Sequence, residues 1–307
     1  MTPVSGRASG VPGSGIPGTG CRPVVVVGDV GIDVLTRPRM PIVPGGESPS
    51  DIALVPGGAG GNTAAWLARH GVDVALVARI GHDQTGLAAR GALERLGVRC
   101  IFAVDDVLPT CVVVVIVDDA GERTMLSDRG ANKAFNVADV DLDAAALGPA
   151  HLHLSGYVLF DPTSRAAALA ALAGARERGW TTSVDPQAAE LVTAVGAKTF
   201  LGWVDGVDLL LPNEIEIVAL GGTEVALQHV GTVVVTYGAA GARWFTANGD
   251  EGVDAPAITC IDSTGAGDAF NAGLLASWLG GASPAAALAA GVAAGSTVAG
   301  DVGARPG

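Results

Sequence analysis

Apolar residues along this chain fall into two patterns: short β-branched runs that end on small or polar residues, and stretches in which they recur every three or four positions. The run Val24-Val25-Val26-Val27 has no polar alternation and reads as a central strand covered on both faces. After it, residues 30–55 break into short apolar pieces separated by Pro38, Pro41, Pro44, Gly45, Gly46 and Pro49, which predicts small excursion strands, a flap beside the core. Ala64, Leu67 and Ala68 lie at helical spacing before Gly71. A strand at 74–78 and a helix ending near Leu96 follow, joined by a glycine-flanked turn in which His82 reads as a surface residue. Residues 99–104, 110–117 and 122–126 then read as three successive strands, with Asp118-Asp119-Ala120-Gly121 as a hairpin signal. Together with the excursion, these three are expected to form a small sheet outside the main domain.

From about residue 150 strands and helices alternate, the pattern of βα units around a parallel sheet. Each strand ends on polar residues: Ser155 after His151-Leu152-His153-Leu154, Asp185 after Thr181-Thr182-Ser183-Val184, Asn213 after Leu209-Leu210-Leu211-Pro212, and Thr236 after residues 232–235. Ligands of open α/β sheets sit outside the carboxyl ends of the strands, so Ser155, Asp185, Asn213 and Thr236 are expected to line one cleft. His151 and His153 share a strand face without a third ligand and read as structural.

Composition narrows the class. Of 307 residues, 49% are hydrophobic and 16% charged, which is a globular chain. A formal charge of −13 disfavours nucleic acid and anionic membrane as partners, so an anionic ligand has to be held by local donors. No apolar run reaches the roughly 18 residues of a membrane span. Cys21, Cys100, Cys111 and Cys260 lack metal-site spacing and read as reduced thiols of a cytoplasmic protein. Residues 1–22, rich in Gly, Pro, Ser and Thr, read as a disordered tail ahead of one domain over 23–307.

The chemistry concentrates in two glycine clusters. In Asp262-Ser263-Thr264-Gly265-Ala266-Gly267-Asp268 the three small residues leave backbone N–H groups uncovered where a helix begins, with Ala266, Phe270, Leu274 and Trp278 at fourfold spacing and Gly280-Gly281 as its stop. Asp268 in the first turn is placed to take a proton from a hydroxyl while the cradle holds the charge that develops opposite. The second cluster, Gly57-Gly58-Ala59-Gly60-Gly61-Asn62, lets backbone approach a ligand near Asn62 and equally suits tight packing of a helix on a sheet. G-x-G-x-x-G does not follow the first strand, which argues against a dinucleotide-dependent oxidoreductase, and the Walker pattern GxxxxGK[ST] is absent as well.

These two clusters, with Asn213-Glu214-Ile215-Glu216 and the strand end Gly28 to Asp33, resemble in content and order the signatures of the ribokinase-like (PfkB) carbohydrate kinase family. The resemblance covers nearly the whole chain. It implies a three-layer α/β/α sandwich with a mainly parallel central sheet, plus a small β-sheet lid from about 30–56 and 99–127. It also implies ATP- and Mg²⁺-dependent phosphorylation of a hydroxymethyl group on a small sugar or nucleoside. Asp268 is then the base, Gly265, Ala266 and Gly267 the anion hole, and Gly31, Asp33, Gly57, Gly58 and Asn62 the acceptor contacts. Asn213 and Glu216 serve Mg²⁺ through water; Thr236, Gly238, Gly241, Thr264, Gly265 and Gly267 border the nucleotide; Asp262 with Thr264 is similar to the family's monovalent-cation (K⁺) site.

Three positions depart from ribokinases proper. Ala59 replaces a Lys, Gly31 replaces an Asn, and a Glu is missing near Ser155. These departures count against ribose without removing it, and the acceptor is expected to be a small neutral sugar, with a nucleoside as the alternative. Fructose, ketodeoxy sugar acids and phosphosugars are the other acceptors of the family, and Arg79, Arg123 and Arg129 are the cations that would serve a phosphosugar. An exposed lid edge also suits pairing with a second lid in a homodimer.

Overall fold

The structure of the chain, a computed structural model, describes residues 21–118, 123–300 and 303–306. Val24–Val27 forms β1, and all four valines are fully buried. Alternate side chains of a strand face opposite ways. Val25 and Val27 pack with Ala167, Ala171 and Leu172, whereas Val24 and Val26 pack with Leu67, Leu274 and Leu288. One buried strand thus separates two apolar cores, and helices cover both faces of its sheet.

The strands are, in order, β2 (Gly31–Pro38), β3 (Ser50–Gly57), β4 (Val74–Gly81), β5 (Arg99–Asp105), β6 (Cys111–Val117), β7 (Arg123–Asp128), β8 (His151–Ser155), β9 (Thr181–Asp185), β10 (Leu209–Leu210), β11 (Thr232–Thr236), β12 (Ala242–Thr246) and β13 (Gly249–Val253). The α-helices are α1 (Ala59–Arg69), α2 (Gln84–Arg95), α3 (Leu142–Ala145), α4 (Pro162–Glu177), α5 (Ala189–Val195), α6 (Ala197–Trp203), α7 (Glu214–Ala219), α8 (Thr223–Ala226), α9 (Ala266–Leu279) and α10 (Pro284–Ala299). The large sheet runs β13-β12-β11-β10-β9-β8-β1-β4-β5. It is parallel from β11 to β5, with β12 and β13 added antiparallel at one edge. This is the expected three-layer α/β/α sandwich, and the small sheet, β3-β2-β6-β7, stands beside it.

Several expectations need correction. Arg99–Asp105 is not a strand of the small sheet; it pairs in parallel with β4 as the outer strand of the large one. Phe102 and Cys100 pack against the core that also holds Leu76 and Leu93, and that apolar contact decides the placement. The small sheet is therefore built from 31–57 and 111–128, not from 99 onward. The edge hairpin of β12 and β13 was missed, because Arg243 to Val253 carries charged and glycine residues through both strands. The hairpin residues 119–121 and the first twenty residues lie outside the described residues. Cys21, assigned to the tail, packs half-buried with its Sγ 3.6 Å from the Ala276 carbonyl. Among the described residues all four cysteines are free thiols, and no helix is long and apolar enough to cross a membrane.

Candidate active site

Asp29, just past β1, ties the first strand to the first glycine cluster. Its carboxylate accepts from the N–H groups of Ala59 and Gly60, both at 3.2 Å, and from Ser155 Oγ at 2.9 Å. A carboxylate at the start of α1 satisfies orphan donors and complements the helix dipole, so Asp29 and Ser155 have a structural role. Ser155 therefore does not line the cleft as expected. A Cβ on Gly60 would come within 2.8 Å of the Gly28 Cα, and Gly58 sits at φ 88°, where its own Cβ would meet the Asp29 carbonyl at 2.7 Å. The cluster thus serves close packing of α1 on β1, one of the two uses it suits.

It also presents side chains. Asn62 and Thr63, buried in the first turns of α1, face Asp268 in the first turn of α9. Asn62 Nδ2 donates to Asp268 Oδ2 at 3.0 Å, and Thr63 Oγ1 lies 3.4 Å from Oδ1. Gly265, at φ 75°, is the residue before α9 and turns the chain into it. Burial pushes the Asp268 carboxyl up to about 7; the nearby charge of Asp29 adds to this, and the bond from Asn62 opposes it. Asp33, on β2 of the small sheet, lies over Gly57, where any Cβ would collide with its carboxylate. Burial raises Asp33 to about 6, with Arg305 pulling the other way. Gly31 packs against Cys111 of β6 instead, a contact that a side chain there would break.

A cleft of about 170 Å³ opens at the C-terminal ends of the parallel strands, lined by Asp185, Gln187, Leu211, Asn213, Glu216, Thr236, Gly265, Gly267, Asp268 and Asn271. Asn213 caps α7, its Oδ1 accepting from the Ile215 and Glu216 N–H groups at 2.9 Å. Glu216 returns the bond in a capping box, Oε2 accepting from Asn213 N at 2.9 Å and Oε1 from Nδ2 at 2.8 Å. Burial raises Glu216 to about 7, opposed by those bonds from Asn213. Asp185, fully buried, is held well above the carboxylate range by burial and then by Glu216 and Asp268. It accepts from Asn271 Nδ2 and from the Gln187 N–H, the latter at 2.9 Å. Three carboxyls, Asp185, Glu216 and Asp268, and three amides, Gln187, Asn213 and Asn271, line this strand-end crevice. Among the described residues no three acidic, His or Cys side chains stand close enough to bind a metal ion directly, so Asn213 and Glu216 could hold a divalent cation only through its water shell.

The remaining expected residues divide. Ala266 does not line the cleft, and its N–H reaches the Ser263 carbonyl at 3.2 Å. Thr264 N and Oγ1 both donate to Asp262 Oδ1, at 2.9 and 2.6 Å, and the chain beside them is tied to the Ala299 carbonyl by Ile261 N at 2.8 Å. Gly238 and Gly241 shape the turn between β11 and β12, next to a second cavity of about 600 Å³ lined by Tyr237, Ala242, Arg243 and Val253. His151 and His153 are buried in β8 and bonded to Ser183 Oγ at 2.7 and 2.8 Å, the structural role expected of them. Arg79 is committed to Asp105 and Asp139, and Arg129 to Asp161 and the Tyr157 carbonyl; the Arg123 side chain lies outside the described residues.

Sequence reasoning missed four residues. Asn271 carried a signal, since it stands three positions after Asp268 on the same helical face. Thr63 adjoins Asn62. Gln187, at φ 71°, is the one non-glycine residue of positive φ among the described residues, and its Nε2 is buried without a hydrogen-bond partner. Arg305 comes from the last turn of chain, beyond any periodic element, and had no sequence signal.

Known proteins resemble this chain over nearly its full length. The description "pfkB family carbohydrate kinase" matches residues 22–307. An ATP-dependent ribose-1-phosphate kinase of Halopiger xanaduensis is 32% identical over 290 residues, covering 92% of this chain and 93% of that protein. Adenosine kinase from Sinorhizobium meliloti shares the fold at a TM-score of 0.84 and 24% identity, over 93% of this chain and 96% of that one. A double-mutant fructokinase from Vibrio cholerae, in a fructose-, ADP- and potassium-bound form, has a TM-score of 0.76 at 28% identity, over 92% and 94%.

Proposed function

The chain belongs to the pfkB family of carbohydrate kinases, and on that premise we propose that it transfers the γ-phosphoryl group of ATP to a hydroxymethyl group of a small neutral sugar. The observation that carries this reading is the buried Asp268 carboxyl at the N-terminus of α9, bonded to Asn62 and facing the strand-end cleft. In its ionised form Asp268 accepts the proton of the attacking hydroxyl, and the start of α9 at Gly265 and Gly267 lies where negative charge develops. Asp33 with Asn62 orients the acceptor hydroxyls. Asn213 and Glu216 would hold hydrated Mg²⁺, which when bound neutralises charge on the transferring phosphates. Thr236, Gly238 and Gly241 border the nucleotide, and the larger cavity beside their turn has the volume for a nucleoside. Asp262 and Thr264 form the proposed potassium site, in line with the potassium-bound fructokinase.

The neutral acceptor rests on charge. Asp29, Asp33 and Asp268 converge on the acceptor end, where Arg305 is the opposing cation, and a dianionic phosphate would face more negative charge than positive. A second reading has one observation in its favour: Arg305 Nη1 is buried without a partner, a donor that a sugar phosphate would satisfy, and one similar protein is named an ATP-dependent ribose-1-phosphate kinase. A coupled ADP assay over fructose, ribose, ribose 1-phosphate, ketodeoxygluconate, adenosine and fructose phosphates decides between them. The first reading expects the highest kcat/KM on a neutral acceptor; a phosphosugar at the top establishes the second, and no ADP release with any acceptor sinks both.

The small sheet acts in this reading as a lid that closes over the acceptor and excludes water. Its outer strand β3 exposes Ile52 and Leu54 on one face, which supports a homodimer formed lid to lid. Sedimentation as a monomer at micromolar concentration would remove the dimer.

A further inference from the structure

Arg305 enters the site from the short segment 303–306. The Ala304 carbonyl accepts from Trp66 Nε1 of α1 at 2.9 Å, and Ala304 packs so close to Gly265 that a Cβ there would come within 2.6 Å of its own. These two contacts wedge the segment between α1 and the turn before α9. The guanidinium of the half-buried Arg305 then lies over the glycine cluster, with its Nη1 enclosed. Its Nε donates to Asn62 Oδ1 at 2.9 Å and its Nη2 to the Gly57 carbonyl at 2.6 Å.

The amide of Asn62 is consequently held from both ends. A guanidinium can only donate, and an ionised carboxylate can only accept. Oδ1 has to face Arg305 and Nδ2 has to face Asp268, because a flipped amide would place donor against donor and acceptor against acceptor. Of the other side chains at Asp268, Thr63 is distant at 3.4 Å and offers a hydroxyl free to rotate, and the Gln187 side chain also acts on the carboxyl.

We propose that Arg305 is a positioning residue for phosphoryl transfer: through the Asn62 amide it fixes the direction in which the Asp268 carboxylate faces the acceptor hydroxyl. This rests on the reading of Asp268 as the base. The charges around it point the same way. Asp29 beyond β1 and Asp185 at the end of β9 face Asp268 as like charges, Asp33 faces Arg305 from β2, and Arg305 is the cation set against them. Removing Arg305 takes away both the orienting donor and that cation, so the base becomes mobile and harder to ionise.

The test is a double-mutant cycle of Arg305→Met and Asn62→Ala, with Arg305→Lys as the conservative variant. It is read by the coupled ADP assay from pH 5.5 to 9 on the best acceptor of the panel. Arg305→Met is expected to lower kcat roughly 10–100-fold, move the acid limb to higher pH and leave KM for ATP within about twofold. Arg305→Lys should recover part of kcat. In the Asn62→Ala background the Met substitution should cost little more, since the path through Asn62 is already cut. Multiplying losses, or an Arg305→Met profile that superposes on the wild type, overturn the proposal. A carboxyl ¹³C titration of ligand-free protein gives an independent readout: Asp268 should titrate higher in Arg305→Met, with Arg305→Gln as the substitute if the Met variant fails to fold, and closer to the wild type in Arg305→Lys; an unchanged titration in the neutral variant overturns the proposal. A wild type without kinase activity would instead sink the functional reading itself.

Discussion

Asn62 Nδ2 donates to Asp268 Oδ2 at 3.0 Å although 206 positions separate the two residues in the chain. The bond joins the end of one glycine cluster to the end of the other, and it exists because α1 and α9 pack side by side on one face of the large sheet. Activity in the proposed reading depends on that pair, and the predictions start from it.

Replacing Asp268 with Asn keeps the side chain's size and removes the base. Phosphorylation in the coupled ADP assay should fall by about 10²- to 10⁴-fold, with ATP binding by calorimetry retained. Full turnover in this variant would remove Asp268 from the mechanism.

The pH dependence follows from the same carboxyl. Burial places Asp268 at about 7, and the base is its ionised form, so kcat/KM should fall as pH drops through about 7. Stability runs the opposite way. A carboxyl raised above its unfolded value favours the folded state fully below the unfolded pKa and loses that contribution as pH rises through the folded one. Asp268→Asn should therefore melt several degrees above the wild type at pH 8, with the advantage gone near pH 4, as read by calorimetry. Equal melting temperatures at pH 8 would contradict the burial argument.

Asp33 reaches the site from the small sheet, and its carboxylate has no hydrogen-bond partner among the described residues. Asp33→Ala should raise KM for the acceptor by roughly 10- to 100-fold while KM for ATP stays within about twofold. A change confined to ATP would place Asp33 elsewhere in the mechanism.

Glu216 accepts both bonds of the capping box on α7 and lines the cleft. Glu216→Gln should raise the Mg²⁺ concentration for half-maximal rate by roughly tenfold or more and change stability by no more than about 1 kcal/mol, because the lost capping bond is offset by removal of a buried charge. Titrating Mg²⁺ at saturating ATP checks the first part, and an unchanged Mg²⁺ requirement would take the residue out of metal binding.

Hydrogen exchange tests the lid. Amides of β2, β3, β6 and β7 should exchange more slowly once acceptor and a nucleotide analogue are bound, because closure buries that sheet against the large domain. Exchange that is indifferent to ligand would leave the small sheet as a static appendage.

Much of this molecule was legible in its sequence. The unbroken valine run of β1 required cover on both faces, which the two cores supply, and the fourfold spacing after Gly265 marked α9 to within a residue. Asp268, Asn62, Asn213 and Glu216 were readable because each stands at a helix start, where capping chemistry and ligand chemistry call for the same residue types. The fate of β5 was not readable. An apolar strand of seven residues fits the edge of either sheet, and only the packing of Phe102 and Cys100 on the core beneath β4 selects the large one.

The local pattern, then, determined most of the element types, the parallel βα core and the helix-start positions of Asp268, Asn213 and Glu216, since those follow from periodicity and from groups that neighbouring residues must satisfy. Tertiary structure decided what stands opposite each of them. Ser155 went to cap α1 through Asp29 instead of lining the cleft, because β8 ends beside β1. Gln187 and Asn271 joined the cleft because β9 ends against the first turns of α9. Arg305, 243 positions from Asn62, became the cation beside Asp33 and Asp268 through two contacts made by the residue before it. No spacing in the sequence encodes such a contact; it is the outcome of burying a charge where the rest of the fold leaves three carboxyls in need of one.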